Sequence, residues 1–333
     1  MYHVRYKGTH YEAGFHWGSL LREHQNIILD NIPFEITDDR IEYAMSCIPI
    51  YNEFYPEILD EIRGLAEGQN CDQRVLQTVL FSMYAMPPTQ HCSCFAMKTR
   101  DGVLLGRNSD FLTALEKLNM NVIYNLTDST YAFTGNTTAF VEIEDGINEH
   151  GLAIGLTSVF PIDVKPGFNA GLLLRYILEK CKTVTEAVSK LENLPIASAQ
   201  TFTLSDANEE IAVIECNSNG VSVNTGNAAG FVCATNRFHV SNMVQYNQSN
   251  IDDWFAEERY QTMYASLSNP ENQRDLVFAQ SLLAGCHGFI CQYDRKSGKD
   301  TVWSVIYDSK HKKIYRCEKN PRRGQFKMDA RLK

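Results

Sequence analysis

The strongest constraint on the fold of this chain is a β-hairpin that starts at a cysteine. Residues 93–99 form the first predicted strand, Arg100-Asp101-Gly102 the turn and residues 103–107 the return strand. Such a hairpin folds the segment Gly106-Arg107-Asn108-Ser109-Asp110 back beside Cys92. The sequence therefore predicts an antiparallel sheet that carries a thiol, a guanidinium and a carboxylate close together at one end.

The chain is mostly helical in pattern before residue 91, and afterwards runs of strands are interrupted by helical pairs. We predict helices at 11–26, 41–67 (broken or kinked near Pro49 and Pro56), 75–83, 171–193 (with a capping box of Thr183 and Glu186) and 252–284, and a break at Pro87-Pro88. We predict strands at 139–144, 152–158, 201–205, 211–216, 221–225, 231–235, 301–307 and 313–317, with a turn at 145–151. This order is α+β rather than alternating β-α-β. We expect one compact unit, made of a helical N-terminal segment, 1–91, and a core, 92–333.

Charge and cysteine usage exclude several classes of protein. The formal net charge of −9 over 333 residues argues against nucleic acid or an anionic membrane as partner, since both favour a basic face. No apolar run reaches the length of a membrane span, and the N-terminus has no apolar signal core. The ten cysteines have irregular spacing without paired Cys-x-x-Cys motifs. We expect a cytoplasmic protein with reduced thiols.

Cys92 itself has three interpretations from local sequence. It is a buried structural thiol, a metal ligand together with His91 and Cys94, or a nucleophile. The metal interpretation is weak, because this spacing puts the ligands on opposite faces of a strand and no second ligand pair is evident. Arg107 and Asp110 favour the nucleophile, since they could lower the thiol pKa or position an amine, but they could equally form a surface ion pair.

Three residues outside the hairpin are further candidates. Asn236 follows the predicted strand 231–235, where an amide serves as a turn residue or donates an N–H to a developing oxyanion. Arg259 lies on a predicted helix, where a solvated position is the default. His287 could act as a base, or it could be a structural histidine.

Taken together, these segments resemble the N-terminal-nucleophile amide hydrolases, in particular the acyl-coenzyme A:6-aminopenicillanate acyltransferase group and the related choloylglycine hydrolase/penicillin V acylase group. The resemblance covers nearly the full chain. It is carried by Cys92, Thr99-Arg100-Asp101-Gly102, Gly106-Arg107-Asn108-Ser109-Asp110-Phe111, the segments 147–156, 234–238 and 301–308, and the N-terminal Tyr11-Glu12-Ala13-Gly14 with Gly18. The spacing from Cys92 to Asp110 with its intervening turn is the specific part.

The resemblance implies a four-layer αββα sandwich, with two antiparallel sheets covered by helices. It also implies that the precursor cuts its own His91–Cys92 bond by an N-to-S acyl shift, and that residues 1–91 stay bound as a smaller chain. The new α-amine of Cys92, with a pKa near 8, would then act as base for its own thiol.

The resemblance also assigns a role to each candidate residue. Asp110 accepts a hydrogen bond from the α-amine, and Arg107 favours the thiolate. Asn236 holds the oxyanion, helped by the backbone N–H of Thr157, and Arg259 matches a late active-site arginine more loosely. His91 stands where the acyltransferase relatives usually have Gly, and Thr157 where bile-salt hydrolases have Asn, which argues against bile-salt activity.

The function implied is hydrolysis or acyl transfer at linear amide C–N bonds through a thioester on Cys92. The substrate would be a small amide or N-acyl compound, and an acyl-coenzyme A donor is a further option. For assembly, a homo-oligomer is an option. No metal or redox cofactor is required. Two alternatives remain: an unprocessed, inactive relative that binds acylated ligands, and a cysteine hydrolase that pairs Cys92 with His287 without self-cleavage.

Overall fold

The computed structural model describes residues 1–32, 34–86, 91–128, 131–139, 141–226 and 228–331. The break predicted at Pro87-Pro88 lies outside the described residues. The α-helices are α1 (His10–Glu23), α2 (Asp38–Phe54), α3 (Pro56–Gln69), α4 (Gln73–Ser82), α5 (Ala170–Lys180), α6 (Val184–Leu191), α7 (Ala256–Ser268) and α8 (Leu276–Leu283). The strands are β1 (Tyr2–Gly8), β2 (His91–Lys98), β3 (Val103–Leu112), β4 (Met120–Leu126), β5 (Phe133–Thr137), β6 (Asp145–Asn148), β7 (Ala153–Ser158), β8 (Gln200–Ser205), β9 (Ile211–Asn217), β10 (Gly220–Asn224), β11 (Phe231–Ala234), β12 (Lys299–Asp308), β13 (Lys313–Cys317) and β14 (Lys327–Asp329).

The N-terminal segment begins with a strand, followed by the predicted helices. Pro56 is the first residue of α3, so the predicted break falls there, whereas Pro49 lies inside α2 and does not end it. Helices α1 and α3 pack at very short range, because Gly14 and Gly18 of α1 face the backbone of α3 and a Cβ at either position would collide with it. Strand β1, which the sequence analysis missed, pairs in parallel with β4 and so joins this segment to the core sheet.

Two sheets form the centre of the molecule. The first has eight strands in the order β1-β4-β5-β6-β7-β8-β9-β10, and the second has six in the order β11-β2-β3-β12-β13-β14. Every pairing between neighbouring strands is antiparallel except β1 with β4. The hairpin predicted at Cys92 is confirmed as β2 and β3, and the closing hairpin is confirmed as β12 and β13.

Two local predictions were wrong. The described residues of the segment 139–144 form turns and bends rather than a strand, and the strand β6 begins only at Asp145, inside the predicted turn. The capping box at α6 is only half formed: the Thr183 hydroxyl accepts from the Glu186 N–H, but the Glu186 carboxylate accepts from the N–H of Lys182 instead of Thr183.

The predicted four-layer αββα arrangement is confirmed. The two sheets face each other through β2, β3 and β11 on one side and β7, β8 and β9 on the other. A small apolar core lies between them, including Leu105, Ile147 and Val305. Helices α5 and α6 cover the outer face of the first sheet, and α7 and α8 cover that of the second. In the described part of the chain, none of the helices is both long and apolar enough to cross a membrane.

Candidate active site

Cys92 is buried near the start of β2, at the end of the second sheet. The residue is only 1% exposed, and Ser109 of β3 lies opposite it in the ladder. Its backbone N–H donates to Asn236 Oδ1 at 2.9 Å, and its carbonyl oxygen accepts from Arg259 Nη1 at 2.6 Å. Both backbone groups next to the thiol are therefore held by polar side chains that reach in from other elements.

The guanidinium of Arg107 binds the thiol directly. Its Nη2 lies 2.8 Å from Cys92 Sγ, and its Nη1 lies 2.7 Å from Asp145 Oδ2. Its Nε donates to the carbonyl oxygen of Leu156, and Glu144 Oε2 lies 3.5 Å from Nη2. The cation is fully buried, so its charge reaches the sulfur without being screened by solvent.

The thiol is nevertheless protonated at neutral pH in the uncut chain. Burial raises the pKa of Cys92 to about 12, although Arg107 acts in the opposite direction. The thiolate, and not the thiol, is the nucleophilic form of a cysteine. Cys92 is therefore a thiol that needs a base to take its proton before it can attack.

Asp145, together with Glu144, is the part of the site that sequence reasoning missed. Asp145 Oδ2 also accepts from Trp303 Nε1 at 2.9 Å, and its Oδ1 accepts from Tyr307 OH at 2.6 Å. Its only sequence signal was a carboxylate inside a predicted turn. Its proximity to Arg107 depends on the packing of the two sheets, which local sequence does not report.

Asp110 lies across the ladder from His91, close to the predicted scissile bond. Its carboxylate accepts from Thr301 Oγ1 at 2.5 Å and from Tyr293 OH at 2.9 Å, and Arg259 Nη1 lies 3.6 Å away. Burial raises the pKa of Asp110 to about 6, although Arg259 and the two hydroxyl groups lower it. A carboxyl group with this pKa can take up and release a proton near neutral pH.

Asn236 and Arg259 form a second polar pair on the other side of Cys92. Arg259 Nη2 donates to Asn236 Oδ1 at 2.9 Å, and Asn236 Nδ2 donates to the carbonyl oxygen of Ser158 at 2.7 Å. Arg259 is fully buried, so the default of a solvated helix position is wrong. Helix α7 packs on the second sheet, and Arg259 shares a helix face with the buried Met263 and Leu267, which is the signal that could have revealed it.

The other three predicted residues, Thr157, His91 and His287, do not contact the thiol in the same way. Thr157 is buried in β7 and donates its hydroxyl to the carbonyl oxygen of Thr235, so it supports the segment that carries Asn236. His91 stacks on Trp254, with ring centroids 4.5 Å apart. Burial lowers the pKa of His91 to about 3, and Arg259 acts in the same direction. His287 is exposed near the end of α8 and lies 2.8 Å from Ser281 Oγ, away from the buried contacts that surround Cys92.

The structure therefore brings five of the predicted residues together: Cys92, Arg107, Asp110, Asn236 and Arg259. In the described part of the chain, no group of three His, Cys, Asp or Glu side chains is arranged to hold a metal ion. A thiol that contacts a buried guanidinium, with Asn236 and Arg259 on its backbone groups and a carboxyl group of raised pKa nearby, is suited to forming and breaking an acyl–sulfur bond.

The chain is similar to a known family of proteins. The family model of acyl-coenzyme A:6-aminopenicillanic acid acyl-transferase matches residues 97–323, which is more than half of the chain and begins just after Cys92. A curated protein of Emericella nidulans, the 40 kDa form of acyl-coenzyme A:6-aminopenicillanic-acid-acyltransferase, is 22% identical over 340 residues, which cover 92% of this chain and 90% of that protein.

Solved structures show weaker likeness. An orthologue of N-acylethanolamine-hydrolyzing acid amidase from Caenorhabditis elegans is 18% identical with a TM-score of 0.47, over 66% of this chain and 93% of that one. A mutant of the conjugated bile acid hydrolase of Clostridium perfringens is 16% identical with a TM-score of 0.49, over 72% of this chain and 92% of that one. The fold assignment rests on the strand order and layers above rather than on these structures.

Proposed function

Because the chain belongs to the acyl-coenzyme A:6-aminopenicillanic acid acyl-transferase family, we propose that it is a self-processing cysteine amidohydrolase or acyltransferase. Self-cleavage at His91–Cys92 makes Cys92 the first residue of the larger chain. That chain then transfers acyl groups at linear amide C–N bonds through a thioester on Cys92. Residues 1–91 stay bound to it, and we expect the protein to act in the cytoplasm on small molecules.

One observation carries the proposal: both groups of Cys92 that the chemistry uses are held inside the same buried cluster. The sulfur contacts Arg107 at 2.8 Å, and the nitrogen that would become the α-amine donates to Asn236 at 2.9 Å. A structural thiol needs neither contact, because a buried cysteine packs as a small hydrophobe. Carboxylates offset the cost of burying the two arginines, since Arg107 pairs with Asp145 and Arg259 lies 3.6 Å from Asp110, and both cations stay next to Cys92.

Self-cleavage would begin when Cys92 Sγ attacks the carbonyl carbon of His91. The thiol proton passes to the Asp110 carboxylate and from there to the nitrogen of Cys92, as the C–N bond breaks and a thioester forms. Water then attacks the thioester, which releases the carboxylate of His91 and restores the thiol. Asp110 suits this relay because its pKa of about 6 lets it accept and return a proton near neutrality.

In the processed enzyme, the free α-amine of Cys92 takes the proton of its own thiol, and the thiolate attacks the substrate carbonyl. Asn236 and Arg259 would stabilise the oxyanion, and the leaving amine departs with the proton. Water as acceptor completes hydrolysis, whereas an amine as acceptor completes acyl transfer. The name of the curated relative pairs an acyl-coenzyme A donor with an amine acceptor, so both amides and acyl thioesters belong in the first screen.

The intact mass of the purified protein under denaturing conditions tests the proposal. Scaling the 37.8 kDa chain by 91 of its 333 residues gives pieces of about 10 kDa and about 27 kDa after cleavage. We expect these two masses for the wild type and for Cys94→Ala, and one uncut, inactive chain for Cys92→Ala. Cleavage that persists in Cys92→Ala contradicts the proposal.

The alternative with His287 as base predicts a different result. There, His287→Ala abolishes activity while the wild-type chain stays whole. Because His287 is exposed and bound to Ser281, we expect His287→Ala to be cleaved and active like the wild type.

A further inference from the structure

The residue just before the proposed cut, His91, is held by an aromatic stack. Its imidazole ring lies on the indole of Trp254, with ring centroids 4.5 Å apart and ring planes inclined by 15°. The Nδ1 atom of His91 is buried without a hydrogen-bond partner in the described part of the chain. The stack, and not a hydrogen bond at this atom, therefore sets the orientation of the ring.

The indole of Trp254 is itself fixed by its surroundings. Trp254 is only 5% exposed, and its ring packs edge-on against Tyr293 with centroids 5.6 Å apart. Lys299 Nζ lies 4.8 Å from the centre of the indole ring, and the backbone N–H of Trp254 donates to Asp252 Oδ1 at 3.3 Å. Because the Tyr293 hydroxyl also donates to Asp110 Oδ2 at 2.9 Å, the indole belongs to the same packed region as the carboxyl group of the site.

The backbone that presents Trp254 is strained. Trp254 has a φ of 52° and Phe255 a φ of 63°, so two consecutive bulky residues adopt the left-handed conformation that favours glycine. Such a conformation persists only where surrounding contacts enforce it, and it is concentrated at functional sites. Phe255 stays 60% exposed, so burial of its own ring does not account for the turn. The result of the turn is the placement of Trp254 on His91.

Arg259 links this strained turn to the nucleophile. Its Nε donates to the carbonyl oxygen of Trp254, and its Nη2 donates to that of Asp253, both at 3.0 Å. Its Nη1 donates to the carbonyl oxygen of Cys92 at 2.6 Å. One fully buried guanidinium thus fixes the indole and the residue that carries the thiol relative to each other.

We propose that Trp254 is a positioning residue for self-cleavage, which holds the His91 side chain so that the His91 carbonyl carbon stays within reach of Cys92 Sγ. Rotation about the backbone bonds of His91 would turn this carbonyl away from the sulfur, and an anchored side chain removes that freedom. The inference rests on the proposed function and extends it to a residue that acts through His91 rather than on the sulfur.

A double-mutant cycle on the rate of self-cleavage tests the proposal. Trp254→Leu removes the ring on which His91 stacks, and we expect self-cleavage to slow by about tenfold to a hundredfold, since small misplacements of reacting groups cost this much. His91→Ala should slow it by a similar factor. In the His91→Ala chain, Trp254→Leu should have no further effect, because the two changes remove one interaction. Effects that multiply would show a merely structural role and overturn the proposal.

Conservative and control variants accompany the cycle. His91→Phe keeps a flat ring that can stack on Trp254, so we expect its cleavage rate to stay within about threefold of the wild type. Tyr260→Leu is the matched control and should be cleaved like the wild type, since Tyr260 stacks on a different histidine, His239, with centroids 3.5 Å apart. Urea unfolding of the Cys92→Ala forms shows which variants fold. If Trp254→Leu does not fold, the His91 variants decide: slow cleavage in His91→Ala with recovery in His91→Phe supports the proposal, and equal rates overturn it.

The wild type separates this inference from the proposed function. Intact masses of refolded chains, sampled over time, give every rate in the series. A wild-type chain that stays uncut overturns both self-cleavage and the role of Trp254. A wild-type chain that is cut, with Trp254→Leu or His91→Ala cut at the same rate, overturns only the role of Trp254 and leaves the proposed function standing.

Discussion

Glu61 and Arg175 form a buried ion pair between the two sides of the proposed cut, with Glu61 Oε1 and Arg175 Nη1 2.9 Å apart. Glu61 lies on α3 in the segment 1–91, and Arg175 lies on α5 in the core. Arg175 also binds Glu179, which accepts from Tyr55 OH at 2.6 Å and lies 3.2 Å from His10 Nε2. This network holds the N-terminal segment to the core without using the peptide bond between residues 91 and 92.

Glu61→Gln should therefore weaken the fold strongly. It leaves the buried guanidinium of Arg175 with one carboxylate fewer, and breaking a buried pair from one side costs about 3–5 kcal/mol of unfolding free energy. Urea unfolding of the uncut Cys92→Ala chain measures the loss. Asp60→Asn is the control, because Asp60 pairs with Arg63 on the surface and such pairs contribute about 1 kcal/mol or less. Equal losses in the two variants would contradict the role of the network.

Self-cleavage should depend on pH through Asp110. Burial raises the pKa of Asp110 to about 6, so the carboxylate that accepts the thiol proton is present above that pH and absent below it. We expect the rate of self-cleavage to rise as pH increases through about 6 and then to level off. Intact masses of freshly refolded chain, sampled over time on both sides of pH 6, measure this rate. Asp110→Asn should abolish the processing, and Asp60→Asn should keep the inflection; a rate independent of pH across this range would count against Asp110 as the proton carrier.

The raised pKa of Asp110 also makes the unfolding free energy depend on pH. The dependence runs in the opposite direction to that of a salt-bridged aspartate, whose pKa is lowered by folding. The folded chain binds the Asp110 proton more tightly than the unfolded chain, whose carboxyl has the ordinary pKa of 3.8. The contribution of Asp110 protonation to the unfolding free energy is therefore fully present below pH 3.8 and is lost as pH rises through about 6. Asp110→Asn should thus raise the unfolding free energy more at neutral pH than at low pH, as measured by urea titrations at each pH.

Arg107→Lys should slow self-cleavage more than it harms folding. A lysine keeps the positive charge near Asp145, but it cannot repeat the guanidinium fork that contacts Asp145 at 2.7 Å and Cys92 Sγ at 2.8 Å. We expect processing to slow by about tenfold to a hundredfold, since loss of one preorganised donor in a catalytic site costs this much or more. The exposed Arg63→Lys serves as the control for the substitution itself. Wild-type processing in Arg107→Lys would show that the contact with the sulfur has no catalytic role.

Gly155→Ala should disturb the site through packing. A Cβ at this position would lie 2.7 Å from Cys94 Sγ and 3.1 Å from Arg107 Cδ, where the two sheets meet. Overpacking of this kind costs about 1–3 kcal/mol, and here it also displaces the guanidinium from Cys92. Combining it with Cys94→Ala removes the sulfur from the clash, so the double variant should regain stability and processing. Gly220→Ala is the matched control, because a Cβ there meets nothing within 4 Å.

The parts of the site that the sequence could predict are those formed by neighbours along the chain. The Cys92 hairpin was predictable because its turn and strands are local, and it carries Arg107 and Asp110 with it. Asp145 was not predictable as a partner of Arg107, since their contact joins two different sheets. A carboxylate in a polar segment has the same local signal whether it faces solvent or a buried cation.

Strand β1 was missed although it is local in sequence. Its sequence Tyr2-His3-Val4-Arg5-Tyr6 has few aliphatic side chains, and only Tyr6 is fully buried along its seven residues. It is a strand because β4, far along the chain, offers it an edge in parallel register. The alternation of Tyr2, Val4 and Tyr6 with polar residues was the period-2 signal that could have revealed the strand, but it does not show which distant strand is the partner.

The pairing of β1 with β4 also changes the order of the folding reaction once the chain is cut. Before cleavage, the two strands meet within one molecule, so refolding from denaturant is first order and independent of protein concentration. After cleavage at residue 91, β1 and the helices α1 and α3 belong to one polypeptide, and β4 and α5 belong to another. Assembly then becomes second order, and dilution opposes it by mass action. Self-cleavage would thus leave a native state that the precursor reaches easily by folding, whereas the two separated chains reach it only slowly by association.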